Sequence, residues 1–141
     1  MHTIVYLSAA CWLFSTDDIL DILKTSRTNN ALLGITGLLM YHEGSIMQIL
    51  EGEEKLVQSL FDKICMDKRH KGIIKTHDER LEARSFREWS MAFKEVSNKD
   101  WSQLQGYLNL DKVNFKSINA SGNTHLITLI RSFSNVNQLD L

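Results

Sequence analysis

The sequence predicts an α+β fold: one five-stranded mixed sheet, two helices on one face and a two-helix cap on the other. Three observations carry this. Runs of β-branched and aromatic residues fall at 3–8, 33–41, 45–50, 72–81 and 89–96. Apolar residues recur at helical spacing after the first run and again after the third. Beyond residue 97 the pattern becomes helical, and two further apolar stripes need a surface that the free face of the sheet can supply.

The first strand, Thr-Ile-Val-Tyr-Leu-Ser at 3–8, is apolar at nearly every position, as a strand covered on both faces is. Alternation puts Ile4, Tyr6 and Ser8 on one face and Val5 and Leu7 on the other. A loop, Ala9 to Phe14, carries Trp12. Ser15 or Thr16 then caps a helix whose first turn holds Asp17 and Asp18, favourable to the helix dipole. Ile19, Leu20, Ile22 and Leu23 form its stripe, and the short polar run Ser26-Arg27-Thr28-Asn29-Asn30 is expected to end it.

Leu33 to Tyr41 and Ser45 to Leu50 read as a hairpin turning at Glu43-Gly44, with Gly34 and Gly37 marking bulges or a close approach. Glu-Gly-Glu-Glu at 51–54 is expected to open a second helix, with Leu56, Val57, Leu60, Phe61 and Ile64 on one face. Cys65 falls on its apolar side, and Lys68, Arg69 and His70 close it. Gly72 to Leu81 reads as an exposed edge strand. Ser85 caps a turn before a fifth strand, Trp89 to Val96, with Trp89, Met91 and Phe93 facing one way and Ser90 and Ala92 the other. The order β-α-β-β-α-β is the ferredoxin-like arrangement, plus one strand. Stripes at Trp101, Leu104, Tyr107, Leu108 and at Leu126, Ile127, Leu129, Ile130, Phe133 define the cap. Residues 1–96 and 97–141 are thus expected to form a core and a cap within one compact unit.

Composition narrows the function by exclusion. At 141 residues, 43% hydrophobic and 23% charged with a net charge of −1, nothing marks a nucleic-acid partner. No run of eighteen apolar residues is present to span a membrane, and the N-terminus enters a strand pattern without a basic leader. Two cysteines, Cys11 and Cys65, suit a reducing, cytoplasmic setting. Nucleotide loops, the nucleophile elbow and the paired-histidine zinc motif are all missing, and His2, His42, His70, His77 and His125 show no metal-ligand spacing. Glu51, Glu53 and Glu54 read as a helix-opening cluster rather than acid–base catalysts.

Polar residues on strands that should be buried remain: Tyr6, Ser8, Asn30 and Gln48, with Trp89 and Met91 nearby. Each has a bland reading. A strand tyrosine buries its ring and finds a local partner, Asn30 caps a helix end, and Trp89 and Met91 pack in the core. Gln48, between Met47 and Ile49, fits a sheet-edge contact as well as a ligand contact, but its amide must be hydrogen-bonded. Tyr6 and Gln48 lie on neighbouring central strands of a ferredoxin-like sheet, so a slot between the two helices could take a flat heteroaromatic ligand edge-first.

Ile-Val-Tyr-Leu-Ser at 4–8, Thr-Asn-Asn at 28–30, Gly-Ile-Thr-Gly-Leu-Leu at 34–39, Gln-Ile-Leu-Glu-Gly-Glu at 48–53, Asp-Lys-Arg-His at 67–70 and Arg-Glu-Trp-Ser-Met at 87–91 together resemble the BLUF domain, the family of blue-light sensors that use flavin. The resemblance runs over about residues 2–96. It implies non-covalent FAD held between the two helices, a photosensory rather than enzymatic role, and a signal passed through strand five and the C-terminal helices. By the resemblance, Tyr6 matches the photoactive tyrosine, Gln48 the switching glutamine, and Asn30 the residue holding the flavin C4 carbonyl and N3 edge. Ser26 matches a small polar neighbour of the ring, and Ile22 and Ile64 the aliphatic residues that sandwich it. Lys63, Arg69 and His70 fall where basic residues lie near the ribityl-phosphate end. Trp89 and Met91 match the strand-five pair whose packing changes with light.

Ile46 departs from the family's usual phenylalanine. No output domain follows within the chain, so the expectation is a short sensor acting in trans on a partner protein, with homo-oligomerisation open. The alternatives are a light-independent ferredoxin-like binding or regulatory module, and a small hydrolase. The hydrolase needs a cationic loop, whereas Ala9 to Phe14 has no arginine or lysine.

Overall fold

The computed structural model describes residues 1–87, 90–95, 126 and 128–133. Strands β1 (His2–Ala10), β2 (Thr36–His42), β3 (Ser45–Gly52), β4 (His70–Arg80) and β5 (Ala92–Glu95) alternate with helices α1 (Thr16–Leu33) and α2 (Glu54–Cys65) in the expected order. The sheet runs β4-β1-β3-β2-β5. Every pairing is antiparallel except β2 with β5, which makes the sheet mixed.

Strand alternation sorts the core into two layers. Ile4, Tyr6, Leu39, Tyr41, Ile46, Leu50, Met91 and Phe93 meet Ile19 and Leu23 of α1 and Val57 and Phe61 of α2. On the opposite face Val5, Leu38, Met40, Met47, Ile49 and Ala92 meet Phe86, Leu126 and Ile130. Residues 126 and 128–133 are helical, so this part of the expected cap covers the second face. The stripe at Trp101 to Leu108, and Trp89, lie outside the described residues.

Ser15 caps α1 reciprocally with Asp18: its hydroxyl accepts from the Asp18 amide, and the Asp18 carboxylate accepts from the Ser15 amide. The helix does not stop at Ser26–Asn30 but runs to Leu33. Its polar run is satisfied without breaking the helix. Thr28 Oγ1 donates back to the Lys24 carbonyl, and the Arg27 and Asn30 side chains reach main-chain carbonyls of another segment. Gly34, at φ 64°, is therefore a left-handed helix C-cap and not a strand residue. Leu20, expected on the apolar stripe, is exposed.

The close approach is at Gly37. A Cβ there would sit 1.9 Å from the Ile49 carbonyl oxygen of the paired strand. Gly37→Ala is expected to destabilise the protein by at least about 3 kcal/mol, because two central strands must separate to relieve a backbone clash. Urea unfolding checks this, and a wild-type midpoint would refute it.

Two other expectations are corrected. Glu51 and Gly52 are the last residues of β3, not the start of α2, because the strand needs them for its register with His2 and Thr3. Cys65 is exposed, since α2 ends there instead of continuing to His70. Strand β4 is the exposed edge expected of it, and starts at His70.

Candidate flavin site

The two-residue hairpin turn decides where the site's floor faces. Glu43 and Gly44 both adopt positive φ, the turn that matches strand twist. Register then places Gln48 between Tyr6 on one side and Leu39 on the other. All three side chains point towards α1 and α2. A cavity of about 290 Å³ opens above them, near the lower bound of ordinary ligand pockets, roughly 300–1,000 Å³. Tyr6, Ile22, Ser26, Asn30, Gln48, Lys63, Ile64, Arg69 and His70 all line it. Met91 does not, and instead packs in the same core layer with its sulfur against the Gln48 amide.

Gln48 is buried and engaged at both ends of its amide. The Tyr6 hydroxyl donates to Gln48 Oε1, and Gln48 Nε2 donates to the Met91 sulfur at 3.6 Å. Burial pushes the Tyr6 phenol well above its ordinary range, with the Cys65 and Asp67 charges adding to the effect, so the hydroxyl keeps its proton. Asn30, inside α1 and 2% exposed, donates from Nδ2 to the Ser90 carbonyl at 2.8 Å. Its position is a helix interior rather than a helix end, and its amide bridges the cavity wall to the chain entering β5.

The basic rim is built around Asp67. Arg69 donates to its carboxylate from Nε at 3.0 and 3.1 Å and from a terminal nitrogen at 2.6 Å. These bonds hold the Asp67 carboxyl below the usual range. His70 Nε2 donates to the Ile64 carbonyl at 2.7 Å, a tautomer that leaves Nδ1 facing Ser8 Oγ at 2.8 Å. His70 thereby ties the end of α2 to β1, with its ring 6.0 Å from that of Tyr6. Among the described residues no group of three His, Cys, Asp or Glu could hold a metal.

Sequence reasoning missed Tyr41 and Phe14, which also line the cavity. Their rings stack at 5.3 Å, and the Phe14 amide donates to the Tyr41 hydroxyl. The signal was available: Tyr41 shares parity with Leu39, on the face that Gln48 shares across the hairpin. It also missed Arg27, whose Nε donates to the Met91 carbonyl at 2.9 Å.

The cavity chemistry suits FAD. Half-buried Ile22 and Ile64 face it from the two helices, amides and a phenol meet its floor, and Lys63 and Arg69 supply cations at one end. Such a slot on a ferredoxin-like sheet defines a small α+β domain for a flat, anionic heteroaromatic cofactor. The family model described as "BLUF: Sensors of blue-light using FAD" matches residues 1–92. The chain belongs to the BLUF family, whose cofactor is FAD.

Photoactivated adenylate cyclase subunit beta of Euglena longa is 34% identical over 92 residues, a match covering 64% of this chain and 11% of that protein. The chain thus spans about a ninth of the length of that relative. Among solved structures, BlrB, a BLUF protein in its dark state, is 29% identical, covers 96% of each chain and superposes with a TM-score of 0.69. The BlsA ground state is 35% identical over 67% of this chain and 65% of that one, with a TM-score of 0.60. Among the described residues no helix is long and apolar enough to cross a membrane.

Proposed function

We propose that the chain senses blue light through a Tyr6–Gln48–Met91 switch beneath the flavin, and passes the change through β5 and residues 97–141 to a partner protein in trans. The observation that carries this reading is Gln48: a buried amide with its acceptor end on a phenol and its donor end on a thioether. When bound, FAD supplies blue absorption and an excited state that is a strong one-electron oxidant.

The protein's part is orientation and proton handling. Tyr6 is the oxidisable side chain bonded to Gln48, and its proton already points at Gln48 Oε1. Loss and return of that proton loosens the bond that fixes the amide. Glutamine has two ends of nearly equal shape and opposite hydrogen-bond sense, so the amide turns over or tautomerises at little steric cost. Turned over, Nε2 faces the Tyr6 oxygen and no longer holds Met91. Met91 and Phe93 pack in the same core layer as Tyr6, so a change at Met91 reaches the buried side of β5.

Ile22 and Ile64 hold the ring faces in this reading, and Asn30, Ser26 and Gln48 its polar edge. Lys63, Arg69 and His70 serve the phosphate end, with Arg69 exchanging part of its Asp67 contact. Trp89 is proposed to act with Met91. The role of residues 97–141 as a cap within the same unit belongs to this proposal too, as does a cytoplasmic setting.

The purified protein is expected to be yellow, or to become so on reconstitution with FAD, and to show a reversible red shift of its flavin absorption under blue light. A colourless protein that FAD cannot reconstitute overturns the reading in favour of a light-independent binding module.

A further inference from the structure

Glu51 is buried with 0% exposure, yet it does not line the cavity and has no part in the switch. Its carboxylate accepts from the Ser85 amide at 2.9 and 3.0 Å and from the Phe86 amide at 2.8 Å. Arg84 reinforces the same place, donating to the Gly34 carbonyl at 2.6 Å, to Thr36 Oγ1 at 2.8 Å and to the Glu51 carbonyl at 3.2 Å. Burial raises the Glu51 carboxyl above its ordinary range, and the two amides oppose that rise. A buried carboxylate is costly to keep, so its bonds need a purpose.

Glu51 and Gln48 sit three residues apart on β3, roughly 10 Å along the strand and on opposite faces. Both engage the chain that leads into β5. Glu51 holds residues 85–86 by their main-chain amides, with both carboxylate oxygens engaged. Residues 90–91 are held by Asn30 on the Ser90 carbonyl and Arg27 on the Met91 carbonyl, while the Met91 side chain is held only by Gln48 on its sulfur, a weak acceptor. One end of this stretch is clamped by a charged group that nothing in the switch disturbs. The other end includes the contact that the switch breaks.

We infer that Glu51 is a positioning residue, a fixed stop that directs the change at Gln48 and Met91 forward into β5 and keeps it from relaxing backwards into residues 84–87. This rests on the light-switch reading above, and the two fail differently.

The test is hydrogen exchange on the full chain with FAD, in darkness and under blue light, with the absorption shift recorded on the same sample. Wild-type protein is expected to change exchange over residues 90–95 and leave 84–87 unchanged. Glu51→Gln is expected to speed exchange at Ser85 and Phe86 roughly tenfold in the dark, with or without FAD, because a charged acceptor of both amides is gone. It should keep the red shift, while the light difference spreads back into 84–87. Glu51→Asp draws the carboxylate back by one methylene from the same two amides, and should give the same pattern if Glu51→Gln does not fold. The inference is overturned by a wild-type light difference at 84–87 as large as that at 90–95. It is equally overturned if either variant speeds dark exchange yet keeps its light difference confined to 90–95. A wild-type protein without any red shift overturns the light-switch reading, and this inference with it.

Discussion

Gln48→Ala is expected to bind FAD in the dark and to lose the whole of the blue-light red shift. Binding survives because the truncation leaves the Ile22 and Ile64 walls, the Asn30 amide and the basic rim intact, and removes only one edge contact of the kind usually worth about 1 kcal/mol. The shift is lost because alanine has no group to turn over. The same change strands the hydroxyl of Tyr6, a residue only 3% exposed, which loses its acceptor. An unpaired buried donor costs about 1–3 kcal/mol, so the variant should also unfold at lower urea. A dark spectrum, a light-minus-dark difference and a urea titration separate these effects. An unaltered shift would sink the switch assignment.

Tyr6→Phe is the complementary case. The ring still packs on Phe61, 5.6 Å away, so the cavity keeps its shape and the dark flavin spectrum should be close to wild type. What goes is the hydroxyl, and with it both the oxidisable phenol bonded to Gln48 and the proton aimed at Gln48 Oε1. Because burial holds the phenol well above its ordinary pKa, raising the pH through the neutral range should not mimic the substitution. Tyr6 stays protonated there and keeps donating. The expected result is loss of the normal photocycle, read by transient absorption, with the dark spectrum retained. A wild-type photocycle in Tyr6→Phe would count against Tyr6 as donor.

The expected strand order and the facing of Tyr6, Gln48 and Phe93 agree with the structure because strands announce their facing by parity, a local property of the chain. The fifth strand starts at Ala92 and not at Trp89, so Met91 precedes it, although it packs in the same core layer as Phe93. Once the hairpin turn at Glu43-Gly44 is located, the floor of the cavity follows. The end of α1 was not legible in this way. Ser26 to Asn30 is a poor helical run by propensity, and it stays helical because Arg27 and Asn30 find carbonyls at Ser90 and Met91, some sixty residues away. Glu51 is a similar case. An acidic residue shortly before a helix looks like dipole chemistry until the chain folds back and presents the Ser85 and Phe86 amides.

Periodicity and turn chemistry act over a few residues, so the ferredoxin-like order, the two-sided core and the polar residues facing the slot could all be read from the chain. Several motifs in sequence order also carried the resemblance to a flavin-using family. What those polar groups bond to came from the folded chain alone. It set Gln48 between a phenol and a thioether, Arg69 on Asp67, and Glu51 on the turn before β5. A side chain's partner depends on which distant backbone or side chain reaches it at hydrogen-bond distance, and neither composition nor spacing encodes that.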